Sequence, residues 1–120
     1  MANPTPPPTF EIKRSESNGL PLVRLKGRLT LGEGSKTLRA CMSDIAAEGH
    51  KHVLLDLAEV TYVDSSGLGS MVAGYNSLKS KGGTVVLFQV PKRIRDLIEM
   101  SGLTAVFKMY GTEQEATAGV

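Results

Sequence analysis

The stretch from Thr61 to Val72, TYVDSSGLGSMV, places one acid and two hydroxyls where an apolar run gives way to glycine and then to helical spacing. Three chemistries suit Asp64, Ser65 and Ser66. Ser and Asp are preferred helix N-caps, and a strand followed by a helix needs a cap, but a cap accounts for only one of the three residues. A serine can also be a nucleophile, given a base to activate it, or a hydroxyl that another protein modifies.

The nucleophile reading finds little support. A nucleophile elbow needs glycine two residues before the serine, and the residues standing there are Val63 and Asp64. The histidines are His50 and His52, the second opening the strand that precedes the motif, so a Ser-His-acid site is disfavoured. Gly67-Leu68-Gly69 lacks the Gly-Lys-Ser/Thr ending of a phosphate loop, and a dinucleotide fingerprint would need glycine where Val72 stands. Two histidines and one cysteine offer no metal-ligand spacing. The expectation is a protein with no catalytic residue, no metal and no cofactor.

The remaining reading is a serine presented to a partner. At the start of a helix its hydroxyl sits at the positive end of the macrodipole, where a phosphate is tolerated. Gly67 and Gly69 either let another protein approach the backbone or pack the helix against the sheet; the spacing leaves both open.

Composition sets the bounds. A chain of 120 residues fits one domain with its own core. Aromatics at 5% and the absence of Trp disfavour nucleic acid as a partner. The net charge is only +2, and the closest basic cluster, Lys92, Arg93 and Arg95, reads as a solvated helix face. The lone Cys41 lies beside Met42 at helical spacing and suits a core. The N-terminus carries four prolines in its first eight residues and no secretory pattern, and no apolar run approaches membrane-span length. A soluble, cytoplasmic, monomeric protein is expected, with residues 1–9 as a disordered Pro-rich tail and 10–120 as the domain.

These residues must be positioned by regular elements. Phe10 to Arg14 and Leu22 to Gly27 alternate as two strands around a turn at Asn18-Gly19-Leu20-Pro21. Residues 35–48 place Leu38, Met42 and Ile45 at helical spacing, and His52 to Leu57 suits a strand covered on both faces. The helix after the motif puts Leu68, Val72, Tyr75 and Leu78 near one face and stops at Lys81-Gly82-Gly83. Thr84 to Val90 is a strand, Pro91 suits the first turn of a helix carrying Ile94, Leu97 and Ile98, and Ala105 to Tyr110 alternates as a last strand. Helix formers run from Glu113 to Ala118. The order β-β-α-β-α-β-α-β plus a short C-terminal helix predicts an α/β domain with a mixed sheet and helices packed against it.

Three stretches, VLLDLAEVTYVDSSGLG at 53–69, KGGTVVLFQV at 81–90 and IRDLIEMSGLTAVFKMYGTEQEA at 94–116, resemble the STAS family, shared by sulfate transporter tails and bacterial anti-sigma factor antagonists. The resemblance implies a non-catalytic phospho-switch. Ser65, directly after Asp64, would be phosphorylated by a partner that is both anti-sigma factor and serine kinase, and a PP2C-type phosphatase would reverse it. The partner would dock on Asp64, Ser65, Ser66, Gly67, Leu68 and Gly69. Two other roles in the same family are a soluble adaptor subunit of a membrane lipid-transport ABC complex and a stressosome-type scaffold. The chain departs from the family where an acid-rich Gly-Glu-Leu-Asp is common: it reads Gly27-Arg28-Leu29-Thr30, which removes two negative charges from a loop expected near the motif. The final helix is also shorter than usual for the family.

Overall fold

The structure, a computed structural model, describes residues 9–120. Five strands form one mixed sheet in the order β1-β2-β3-β4-β5. Strand β1 (Phe10–Ser17) runs antiparallel to β2 (Leu20–Leu29); β3 (His52–Val63), β4 (Thr84–Phe88) and β5 (Lys108–Tyr110) follow in parallel with β2. Between them lie α1 (Glu33–Ala47), α2 (Ser65–Lys79) and α3 (Lys92–Met100), and α4 (Glu113–Ala118) closes the chain. The element order is the one the sequence predicts.

The two faces of the sheet are unequal. Leu38, Met42 and Ile45 of α1, Met71 and Leu78 of α2, and Ile94 and Ile98 of α3 are buried in one cluster with Val23, Leu25, Val53, Leu55 and Leu87. The opposite face holds a smaller cluster in which Ala116 of α4 covers Leu22, Leu54, Val86 and Phe88. Short as it is, α4 therefore closes an apolar patch. It is tied down by charge: Arg24 reaches Asp56 at 3.2 Å and Glu113 at 3.4 Å, and the Ser17 hydroxyl donates to Glu113 at 2.8 Å.

Several boundaries differ from the sequence reading. Asn18 and Gly19 both have positive φ, 52° and 78°, so the hairpin turn is a two-residue turn and both strands are longer than expected. Strand β3 continues past Leu57 to Val63 because its pairing with β2 slips twice, from Arg24↔Asp56 to Lys26↔Glu59 and from Gly27↔Val60 to Arg28↔Tyr62. Each slip adds a residue on β3, so Leu57, Val60 and Val63 turn inward at every third position and the period-2 pattern disappears. Helix α1 starts at Glu33, Pro91 is the N-cap of α3 rather than part of its first turn, and β5 keeps only Lys108–Tyr110.

The deepest face of α2 is Gly67, Ser70, Met71, Gly74 and Leu78, with Leu68, Val72 and Tyr75 only partly buried. Small residues win that face because α2 approaches α1 closely: a β-carbon on Gly74 would stand 2.9 Å from Met42. Cys41 is half-buried rather than in the core, and desolvation pushes its thiol up, which keeps it protonated at neutral pH. Of the Pro-rich tail expected at 1–9, residues 1–8 lie outside the described residues, and the Thr9 carbonyl accepts the Arg28 N–H at 2.8 Å beside the sheet.

Candidate functional site

The carboxyl ends of β2 and β3 bring the motif against the loop that follows β2. Asp64 is the N-cap of α2 in extended conformation, and one carboxylate oxygen accepts the Gly67 N–H at 2.7 Å. Its other oxygen accepts the Leu31 N–H at 3.0 Å, and its own N–H donates to the Leu29 carbonyl at 3.3 Å. The cap of α2 is thus also the clasp of the β2–α1 loop. The N–H groups of Leu31 and Gly67, in that order, hold the Asp64 carboxyl below its ordinary range because they bond the ionised form.

With Asp64 engaged, the two serines are free of the capping role. Ser65 is the first residue of α2 and is exposed; Ser66 is half-buried. Gly67 is buried, and a β-carbon there would lie 2.0 Å from the Leu29 carbonyl oxygen. Of the two readings left open for the glycines, Gly67 takes the packing one and offers no surface to a partner. Gly69 is not closed off in this way: a β-carbon there would meet only Arg39, at 3.8 Å. Leu68 is partly buried against the core.

Sequence reasoning missed three further features. Ser70 is fully buried and donates to the Gly67 carbonyl at 2.6 Å, which braces the first turn of α2. Leu31, whose N–H holds Asp64, keeps its side chain 78% exposed beside the serines. Lys36 and Arg39 of α1 line one hollow with Ser65, Ser66 and Gly69. Leu31 carried a faint signal, an apolar residue between Thr30 and Gly32; the two cations carried none.

The histidines stand elsewhere. His52 opens β3 and its Nδ1 lies 3.0 Å from the Thr84 hydroxyl, whereas Ser65 follows the other end of that strand. A strand of this length spans roughly 35 Å at about 3.3 Å per residue, so neither His52 nor the neighbouring His50 is placed to activate Ser65. The segment of altered charge is the end of β2 rather than a loop: Gly27, Arg28 and Leu29 pair with β3, Leu29 lies against Asp64, and Arg28 stands 5.3 Å from the Tyr62 ring centroid. A larger hollow, about 700 Å³, lies between Tyr62 and Val63 at the end of β3 and Leu97 and Met100 of α3. Lys92, Arg93 and Arg95 are a solvated face, with Lys92 paired to Asp96 at 3.1 Å. No helix among the described residues is long and apolar enough to cross a membrane.

The family model for the STAS domain matches residues 11–116. The chain belongs to the STAS domain family. An anti-sigma F factor antagonist of Paenibacillus polymyxa is 31% identical over 108 residues, covering 89% of this STAS chain and 92% of its own length. The fold is shared with an anti-sigma factor antagonist from Mycobacterium paratuberculosis, TM-score 0.79 at 21% identity over 92% of this chain and 93% of that one. It is shared also with the Bacillus cell fate determinant SpoIIAA in its phosphorylated form, TM-score 0.69 at 22% identity over 92% and 97%. At the surface of this STAS domain the motif presents Ser65 and, half-buried, Ser66 and Gly69, with the exposed Leu31 side chain of the β2–α1 loop beside them.

Proposed function

We propose that this STAS domain is an anti-sigma factor antagonist that acts as a phospho-switch. Unphosphorylated, it binds an anti-sigma factor that is also a serine kinase and thereby frees the sigma factor. Phosphorylation of Ser65 releases it, and a PP2C-type phosphatase restores it. The chain acts as ligand and substrate in the cytoplasm, as a monomer, and supplies no catalytic group.

The observation that carries this reading is the division of labour between Asp64 and Ser65. Asp64 spends its carboxylate on the N–H groups of Leu31 and Gly67, which leaves Ser65 exposed and free of the capping role at the start of α2. The names of the relatives support the choice of partner. The docking surface comprises Ser65, Ser66, Gly69 and the exposed Leu31, with Asp64 and Leu68 behind them.

A phosphate adds roughly −1.5 to −2 charges at the centre of that contact. Burying a mismatched charge there costs about 2–5 kcal/mol, roughly 30-fold to several-thousand-fold in affinity. Removing the hydroxyl costs only about 1 kcal/mol. The test is a titration of the anti-sigma partner against wild type, Ser65→Ala and Ser65→Asp, with thermal melts alongside. Ser65→Ala should keep most of the binding and Ser65→Asp should lose at least about tenfold. Equal affinities for all three would sink the switch and favour an adaptor role in a lipid-transport complex.

A further inference from the structure

We propose that Lys36 and Arg39 of α1 form a clamp, within the same chain, for a phosphate on Ser65. This rests on the reading of Ser65 as the modified residue and assigns what holds the modification once it is made. The hollow between the two helices measures about 390 Å³. Lys36 and Arg39 stand on one wall and Ser65, Ser66 and Gly69 on the other, and its lining contains two cations and no carboxylate.

Both cations are exposed, and among the described residues neither is ion-paired. The acid next to Ser65 in sequence, Asp64, is held by the Leu31 and Gly67 N–H groups; Glu33, on the first turn of α1, is outside the lining. Ser65 and Gly69 are four residues apart on α2 and share a face. The Arg39 guanidinium lies 3.8 Å from where a Gly69 β-carbon would stand, so the missing side chain leaves that face open to it. A phosphate there brings three strong acceptor oxygens, which suit the planar fork of arginine and the point charge of lysine. The clamp partly neutralises the phosphate, and the same two cations are withdrawn from any acidic partner.

The test needs no kinase. Phosphoserine is installed at position 65 during translation of the full chain, and phosphorus NMR follows its second ionisation. That pKa is ordinarily about 6; in the wild-type background it should fall by at least about half a unit, as for an acid close to opposite charge. It should return in Lys36→Ala/Arg39→Ala and stay low in Lys79→Ala, a control at the far end of α2. Melts of the unphosphorylated chains establish that each variant folds. An unshifted value in the wild-type background, or a shift that survives the double substitution, overturns the clamp. Failure of a kinase to modify Ser65 would instead remove the switch and leave this titration standing.

Discussion

Gly67 in the first turn of α2 lies so close to Leu29 at the end of β2 that a β-carbon on it would stand 2.0 Å from the Leu29 carbonyl oxygen and 2.8 Å from the carbonyl carbon. Backbone atoms cannot swing aside as a flexible side chain can. Gly67→Ala should therefore force α2 off β2 and cost on the order of 1–3 kcal/mol or more. Gly69→Ala, in the same motif and helix, meets only the tip of Arg39 and should hold or gain up to about 1 kcal/mol from helix propensity. Denaturant unfolding of the two variants checks the contrast; equal losses would mean that the motif's glycines share one role.

The clasp made by Asp64 has a pH signature. Its folded-state pKa is depressed below the ordinary 3.8 by the Leu31 and Gly67 N–H groups, so its contribution is complete above that value and is lost as pH falls through the lower folded value. Asp64→Asn should melt below wild type at pH 7, and the gap should persist to about pH 5 and close below about pH 4. Melting curves of both proteins from pH 7 to pH 2.5 measure it. A gap that is constant over the whole range would assign the loss to packing.

Leu31 is 78% exposed although its own N–H is engaged by Asp64. On the docking surface proposed above, this apolar side chain beside Ser65 would serve as a contact anchor. Leu31→Ser should leave the melting temperature nearly unchanged and weaken the anti-sigma partner by about 1–2 kcal/mol, roughly five- to thirty-fold. Isothermal titration against that partner decides it, and an unchanged Kd would move the docking surface away from the β2–α1 loop.

Arg24 joins Asp56, which is 7% exposed, to Glu113 of α4. Arg24→Ala leaves the Asp56 carboxylate with the Ala58 N–H at 3.0 Å and no cation. Because the arginine is about half exposed, the loss should be about 1–2 kcal/mol rather than that of a fully buried pair. Hydrogen exchange should rise across residues 113–118 more than in α1. Uniform protection would show that Ala116 alone holds α4.

What the sequence determined by itself was local in origin. Alternation and helical spacing named every element in order, Asn18-Gly19-Leu20-Pro21 named the hairpin turn, and the Asp64-Ser65-Ser66 cluster named the start of α2 without choosing its cap, because each of these is decided by a residue's own backbone preferences or by a neighbour within one turn. Only the tertiary structure decided the rest. Strand β3 runs on to Val63 because β2 pairs with it through two slips, and the register that turns Val60 and Val63 inward belongs to the pair, not to either strand. Asp64 holds Leu31 across 33 residues, Gly67 is closed off by Leu29 while Gly69 stays open, and Lys36 and Arg39 face Ser65. Those relations depend on where two helices and a loop converge at one end of a sheet. Spacing along the chain carries no record of that convergence, since the contacts are set by packing of the whole core.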